Sequence, residues 1–160
     1  MQKTNRLLEQ ASELASLEEF AEAFAIYDKI LKKEPKNISA LIDKAVTLQR
    51  IGKNSQALTL FNRALKLEVD NIDALIGKGS TLHAQKKFSD AITCYDSILS
   101  INPKFPVALA YKGLSLAEQG KITDALKYFK KALSIDKDLE LASISKETAL
   151  KLLDSKKTKK

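Results

Sequence analysis

The chain has 160 residues, 44% hydrophobic and 29% charged, the balance of a soluble globular protein long enough to bury a core. Aromatic residues make up only 6% and tryptophan is absent, so leucine, isoleucine and alanine must pack the interior, which favours close helix-on-helix contact over a sheet core. The single cysteine, Cys94, excludes an internal disulfide framework. The formal charge of +7 draws four of its units from Lys156, Lys157, Lys159 and Lys160, so no face of the rest is basic enough to track a phosphate backbone. No stretch reaches the roughly 18 apolar residues of a membrane span, and no apolar run follows the first residues as a secretory signal would require; a cytoplasmic protein is expected.

Apolar residues recur at helical spacing from the start. Leu7, Ala11 and Leu14 mark a first helix; Ala23, Tyr27 and Leu31 mark a second, closed by Pro35. Leu41, Ala45 and Leu48 open the next pair, and Ala57, Phe61 and Leu65 complete it, with Gly52 between them suited to a left-handed helix end. The third pair has Leu75, Gly79 and Leu82, then Ala91, Tyr95 and Leu99, closed by Pro103. Pro106 can open the fourth, because its missing N–H would be unpaired in a first turn anyway. Leu109, Gly113 and Leu116 follow, then Ala125, Phe129 and Leu133. Ser55, Ser89 and Thr123 stand just before the second helix of their pairs, where an N-cap is expected.

Every column recurs without insertion at one fixed interval, that from Ala23 to Ala57. The small residues Ala11, Ala45, Gly79 and Gly113, with the four alanines of the second helices, let backbones approach closely; a larger side chain there costs about 1–3 kcal/mol. Pairs one and three share Tyr-Asp-x-Ile-Leu, whereas pairs two and four share Phe-x-x-Ala-Leu, which points either to a duplicated two-pair block or to coincidence over few columns. Glu140 to Asp154 forms one further helical pattern. Its Ala142, Ala149 and Leu153 are expected to lie on the last pair, leaving Leu141, Ile144 and Thr148 as a second stripe.

These columns resemble the tetratricopeptide repeat, in frames 4–37, 38–71, 72–105 and 106–139. Departures are Leu7, Leu41, Leu75 and Leu109 where tryptophan is usual, Gln10, Lys44, Lys78 and Lys112 where an apolar residue is common, and Val69 and Lys137 in the proline column. The resemblance implies an all-α fold, a right-handed α-solenoid of four helix–turn–helix repeats. One domain over 1–154 is expected, with a capping helix at 140–154 and a basic disordered tail at 155–160.

The resemblance also implies a concave face lined by the first helices. The residues expected there are Ile42, Val46, Ile76, Ser80, His83, Val107, Tyr111 and Leu114, flanked by Glu9, Asp43 and Asp73, with Gly77 among them. Relatives that grip acidic chaperone tails carry a Lys, Asn and Arg clamp. The matching positions hold Leu8, Ser12, Asp43, Asp73 and Gly77, or one repeat on Ile42, Val46, Gly77, Val107 and Tyr111, and neither set neutralises a terminal carboxylate. The expected function is an adaptor or scaffold that binds an apolar or amphipathic peptide of another protein in the groove. The alternatives are a homodimer through the capping helix and an association with nucleic acid or an anionic membrane through the lysine tail. His83 has no partner at metal-ligand spacing, and Cys94 reads as a small buried hydrophobe. No enzyme, cofactor, metal or small-molecule substrate is expected.

Overall fold

The computed structural model describes residues 2–157, and side chains as far as Asp154. The described residues form nine α-helices and no strand: α1 (Gln2–Ser16), α2 (Phe20–Lys33), α3 (Ile38–Arg50), α4 (Asn54–Leu67), α5 (Ile72–Ala84), α6 (Phe88–Ile101), α7 (Pro106–Glu118), α8 (Ile122–Ile135) and α9 (Glu140–Lys157). The last helix runs past the expected end at 154, because Leu152, Leu153, Lys156 and Lys157 are good helix formers. The rest of the expected tail, 158–160, lies outside the described residues.

The turn inside each repeat explains why the expected caps fail. Leu48 O accepts from Lys53 N (2.9 Å) and Gln49 O from Gly52 N (2.9 Å), a Schellman ending with Gly52 left-handed at φ 75°. The pattern returns at Glu18, Lys86 and Gly120, the equivalent positions of the other repeats. The residue after the left-handed one, Lys53, Lys87 or Lys121, is already the N-cap of the next helix, so Ser55, Ser89 and Thr123 lie inside the first turn and cap nothing. Side-chain caps occur instead between repeats. Asn37 Oδ1 accepts from Ala40 N, and Asn71 Oδ1 from Ala74 N, each at 2.9 Å. Glu34 and Glu68 hold the two asparagines by accepting from their Nδ2. At the third junction Phe105 replaces the asparagine and Pro106 opens α7, as expected.

The packing divides into two compact units, Met1–Thr81 and Leu82–Lys160. In the first, α1 lies on α2, α2 on α3 and α3 on α4, with α1 also touching α3. Its core joins Leu41, Ala45, Leu48, Ala57, Phe61 and Ala74. In the second, α6, α7, α8 and α9 pack in sequence, and α7 also touches α9. Ala142, Ala149 and Leu153 of α9 lie against this core as expected, while Ile144 is exposed.

All four small residues of the first helices are buried, as are Ala23, Ala57, Ala91 and Ala125. Tyr27, Phe61, Tyr95 and Phe129 are at most 1% exposed, each burying enough apolar surface to contribute about 1.5–3 kcal/mol. A Cβ on Gly113 would lie 2.6 Å from the Phe129 ring, so the glycine is what lets that ring seat.

The alternation between repeats extends to their bonding. Asp28 pairs with Lys44, and two repeats further on Asp96 pairs with Lys112. Ile30 and Ile98 are buried where the other two repeats have Ala64 and Ala132. The left-handed residue is Glu18 or Lys86 in one kind of repeat and glycine in the other. The boundary between the compact units falls within α5, so the third repeat has most of its first helix in the first unit and its second helix in the other.

Candidate peptide-binding site

In the first unit, α3 and α5 enclose a cleft of about 360 Å³. Its walls are Ile42, Asp43, Val46 and Gln49 from α3, facing Asp73, Ile76, Gly77 and Ser80 from α5. The spacing is that of one helix face on each side, so the cleft follows from the same periodicity that builds the core. Its aliphatic surface is uneven. Val46 is 41% exposed and Ile76 half-buried, but Ile42 is only 9% exposed and belongs to the core cluster. Gly77 forms the floor because the Phe61 ring lies beneath it, where a Cβ would stand 2.3 Å from two ring carbons. Gln49 Nε2 donates to Ser80 Oγ (2.9 Å), and Ser80 Oγ donates to Gly77 O (3.1 Å), which fixes both polar side chains within the cleft.

The cleft is acidic. Burial pushes the Asp43 carboxyl above the usual carboxylate range, and repulsion from Asp73 pushes it further. Neither carboxylate forms an ion pair among the described residues.

In the second unit, α7 presents Val107, Tyr111 and Leu114, all half-buried. Tyr111 stacks on Tyr95 with centroids 5.6 Å apart and planes at 13°. Leu114 packs against the core of Leu116, Ile122 and Phe129. His83 Nδ1 lies 2.9 Å from Ser115 Oγ, and its ring meets Phe88 edge-on at 5.2 Å. Burial lowers the His83 pKa, against a smaller raising effect of Glu118, so the imidazole is neutral at neutral pH. Of the eight expected groove residues, Ile42, Val46, Ile76 and Ser80 share the α3–α5 cleft. Tyr111, Leu114 and His83 are tied into contacts within their own unit.

Sequence reasoning missed a column of buried hydroxyls, Thr47, Thr81 and Ser115, at most 3% exposed. Thr47 Oγ1 donates to Asp43 O (2.8 Å) and also bonds the Tyr27 hydroxyl, whose pKa burial raises. Ser115 occupies the matching place beside Tyr95 but is bonded to His83, and the buried Tyr95 hydroxyl has no partner among the described residues. The repeat interval of these hydroxyls was visible; that each finds a different partner, Thr81 Oγ1 donating to Gly77 O (2.7 Å) and Ser115 bonding His83, was not.

Family models of the tetratricopeptide repeat match residues 14–78, 72–105 and 106–139. The chain belongs to the tetratricopeptide-repeat family. Members are generally non-enzymatic scaffolds for protein–protein interaction. A crystal structure of MamA protein superposes with a TM-score of 0.78 at 22% identity, over 92% of this chain and 81% of that one. TTC0263, a thermophilic tetratricopeptide-repeat protein of Thermus thermophilus, gives 0.81 at 17% identity over 94% and 82%. The first repeat domain of Spaghetti (RPAP3), bound to the HSP90 peptide SRMEEVD, gives 0.68 at 17% identity over 73% and 93%. Comparison with curated proteins returned no sequence match. No described helix of this tetratricopeptide-repeat protein is long and apolar enough to cross a membrane.

Proposed function

We propose that this chain is an adaptor that holds an amphipathic peptide segment of another protein on its first helices, with the α3–α5 cleft as the principal seat. The observation that supports this most is the juxtaposition in that cleft of Val46 and Ile76 with two carboxylates that no cation neutralises among the described residues. An aliphatic side chain of the guest fills the space between Val46 and Ile76, and a neighbouring lysine or arginine relieves the repulsion between Asp43 and Asp73. Each buried aliphatic anchor contributes about 1.5–3 kcal/mol, against an association cost of about 4–15 kcal/mol, so affinity is modest and several contacts act together.

The same charges argue against an acidic chaperone tail such as SRMEEVD, the peptide on the Spaghetti domain. A terminal carboxylate brought to Asp43 and Asp73 would be repelled.

The test is a pull-down with the wild-type chain beside Ile76→Arg, helicity checked by circular dichroism. Partners of the cleft are lost in the variant. A partner retained at wild-type levels on the folded variant removes the cleft as its site. Self-association through α9 is a second reading, resting on Ile144 at 57% exposed. Light scattering at two concentrations tests it, and a monomer at both rejects it.

A further inference from the structure

A cavity of about 670 Å³ lies in the second unit and is formed by α6, α7 and α8. Its floor is apolar, made by Ile92, Leu116 and the ring of Tyr128. Its rim is basic: Lys121 at the N-cap of α8 and Lys127 and Lys131 within that helix all line it and stand exposed. Between them they face a single acid, Asp124, which Lys127 bonds at 2.9 Å. Lys121 and Lys131 make no ion pair among the described residues.

One lysine sits deeper. Lys112 of α7 has its side chain only 15% exposed, bonded to Asp96 and lying 4.6 Å over the Tyr128 ring. Burial alone would lower its pKa, but the bonds to Asp96 and Tyr128 outweigh that and raise it, so this cation stays charged at the cavity wall. The pairing with Asp96 and the cation–π contact also hold Tyr128 in place as part of the floor.

We propose that this cavity is a second binding site, for an acidic peptide segment carrying an apolar side chain between its carboxylates. The apolar residue enters between Ile92, Leu116 and Tyr128, and the flanking carboxylates meet Lys121 and Lys131. Length favours a peptide over a compact anion. Lys121 and Lys131 are ten residues apart, about 15 Å along a helix, far more than one phosphate spans but the reach of about four or five extended residues. An apolar floor adds nothing for a bare polyanion, whereas it gives an apolar side chain a place to bury. The inference is independent of the proposed cleft: the residues belong to different units, and the two sites want guests of opposite charge.

The probe is a fluorescein-labelled decapeptide with four glutamates flanking a central phenylalanine, titrated with the whole chain and read by anisotropy. Saturable binding is expected, with Kd below about 100 µM at low salt and weakening as salt is raised. Lys121→Glu with Lys131→Glu, both exposed and so neutral to folding, is expected to weaken it about tenfold or more, while arginine at both positions retains it. Replacing the probe's phenylalanine by alanine weakens it several-fold. The Ile76→Arg variant binds the probe unchanged, so failure of the cleft proposal and failure of this one are told apart. No saturation up to about 1 mM, equal binding by the double glutamate variant, or equal binding of a labelled oligothymidylate of matching charge each overturns the proposal.

Discussion

Gly77→Ala puts one methyl group where the packing has no room. The new Cβ would lie 2.3 Å from two carbons of the Phe61 ring, whereas ordinary contact begins at 3.4 Å, so ring and helix must separate by about 1 Å. Phe61 is fully buried among Leu41, Ala45, Ala57 and Ala74 and cannot swing aside. Overpacking of this kind costs about 1–3 kcal/mol, and a clash with two ring atoms belongs at the upper end. Against it, alanine in a helix interior is favoured over glycine by about 1 kcal/mol. The net expectation is a loss of about 2 kcal/mol, or about 4–8 °C in Tm for a chain of this size. Urea unfolding of wild type, Gly77→Ala, Phe61→Leu and the double variant completes the cycle. The smaller leucine should tolerate the methyl, giving a favourable coupling of at least about 1 kcal/mol. Gly77→Ala at or above wild-type stability would refute the reasoning, because propensity alone would then govern a residue read as a packing constraint.

The two buried tyrosines should respond in opposite ways. Tyr27→Phe removes a hydroxyl bonded to Thr47 and costs about 1 kcal/mol, whereas Tyr95→Phe removes one with no partner and is neutral or stabilising; thermal melts of both variants decide. Burial raises both phenol pKa values above 10, so the stability they contribute is complete below about pH 10 and is lost as pH rises through the folded values. Tyrosinate absorbance should therefore lag in the native chain and jump on unfolding. His83 has the opposite sign: its lowered pKa gives stability that is present above about pH 6.5 and lost as pH falls through the folded value. His83→Gln should accordingly shrink the stability difference between pH 7 and pH 5 in denaturant titrations. Lys86 and Glu18 hold left-handed backbone at φ 60° and 64°, so glycine at either should stabilise by about 0.5–1 kcal/mol, measured as a raised urea midpoint.

The sequence by itself determined the helices, their pairing into repeats and the identity of the core columns. The repeat period superposed on the helical period leaves one face of each helix apolar, and only side-by-side packing buries it. The alternation of tyrosine and phenylalanine repeats was also legible, and it foreshadowed the ion pairs Asp28–Lys44 and Asp96–Lys112, though not that they would form. Other features depend on which atoms of one helix reach another, and those distances are not encoded in spacing along the chain. Gly77 stood among the expected groove residues with nothing to say that Phe61, in the preceding helix, would lie beneath it. Ser55, Ser89 and Thr123 looked like caps until the backbone turn closed sooner, at Lys53, Lys87 and Lys121. The basic cavity combines Ile92, Lys112 and Lys131 from three helices, and no linear window contains it. Periodicity decides which side of a helix is buried, because burial is a property of one face; tertiary structure decides what that face touches and what space remains open.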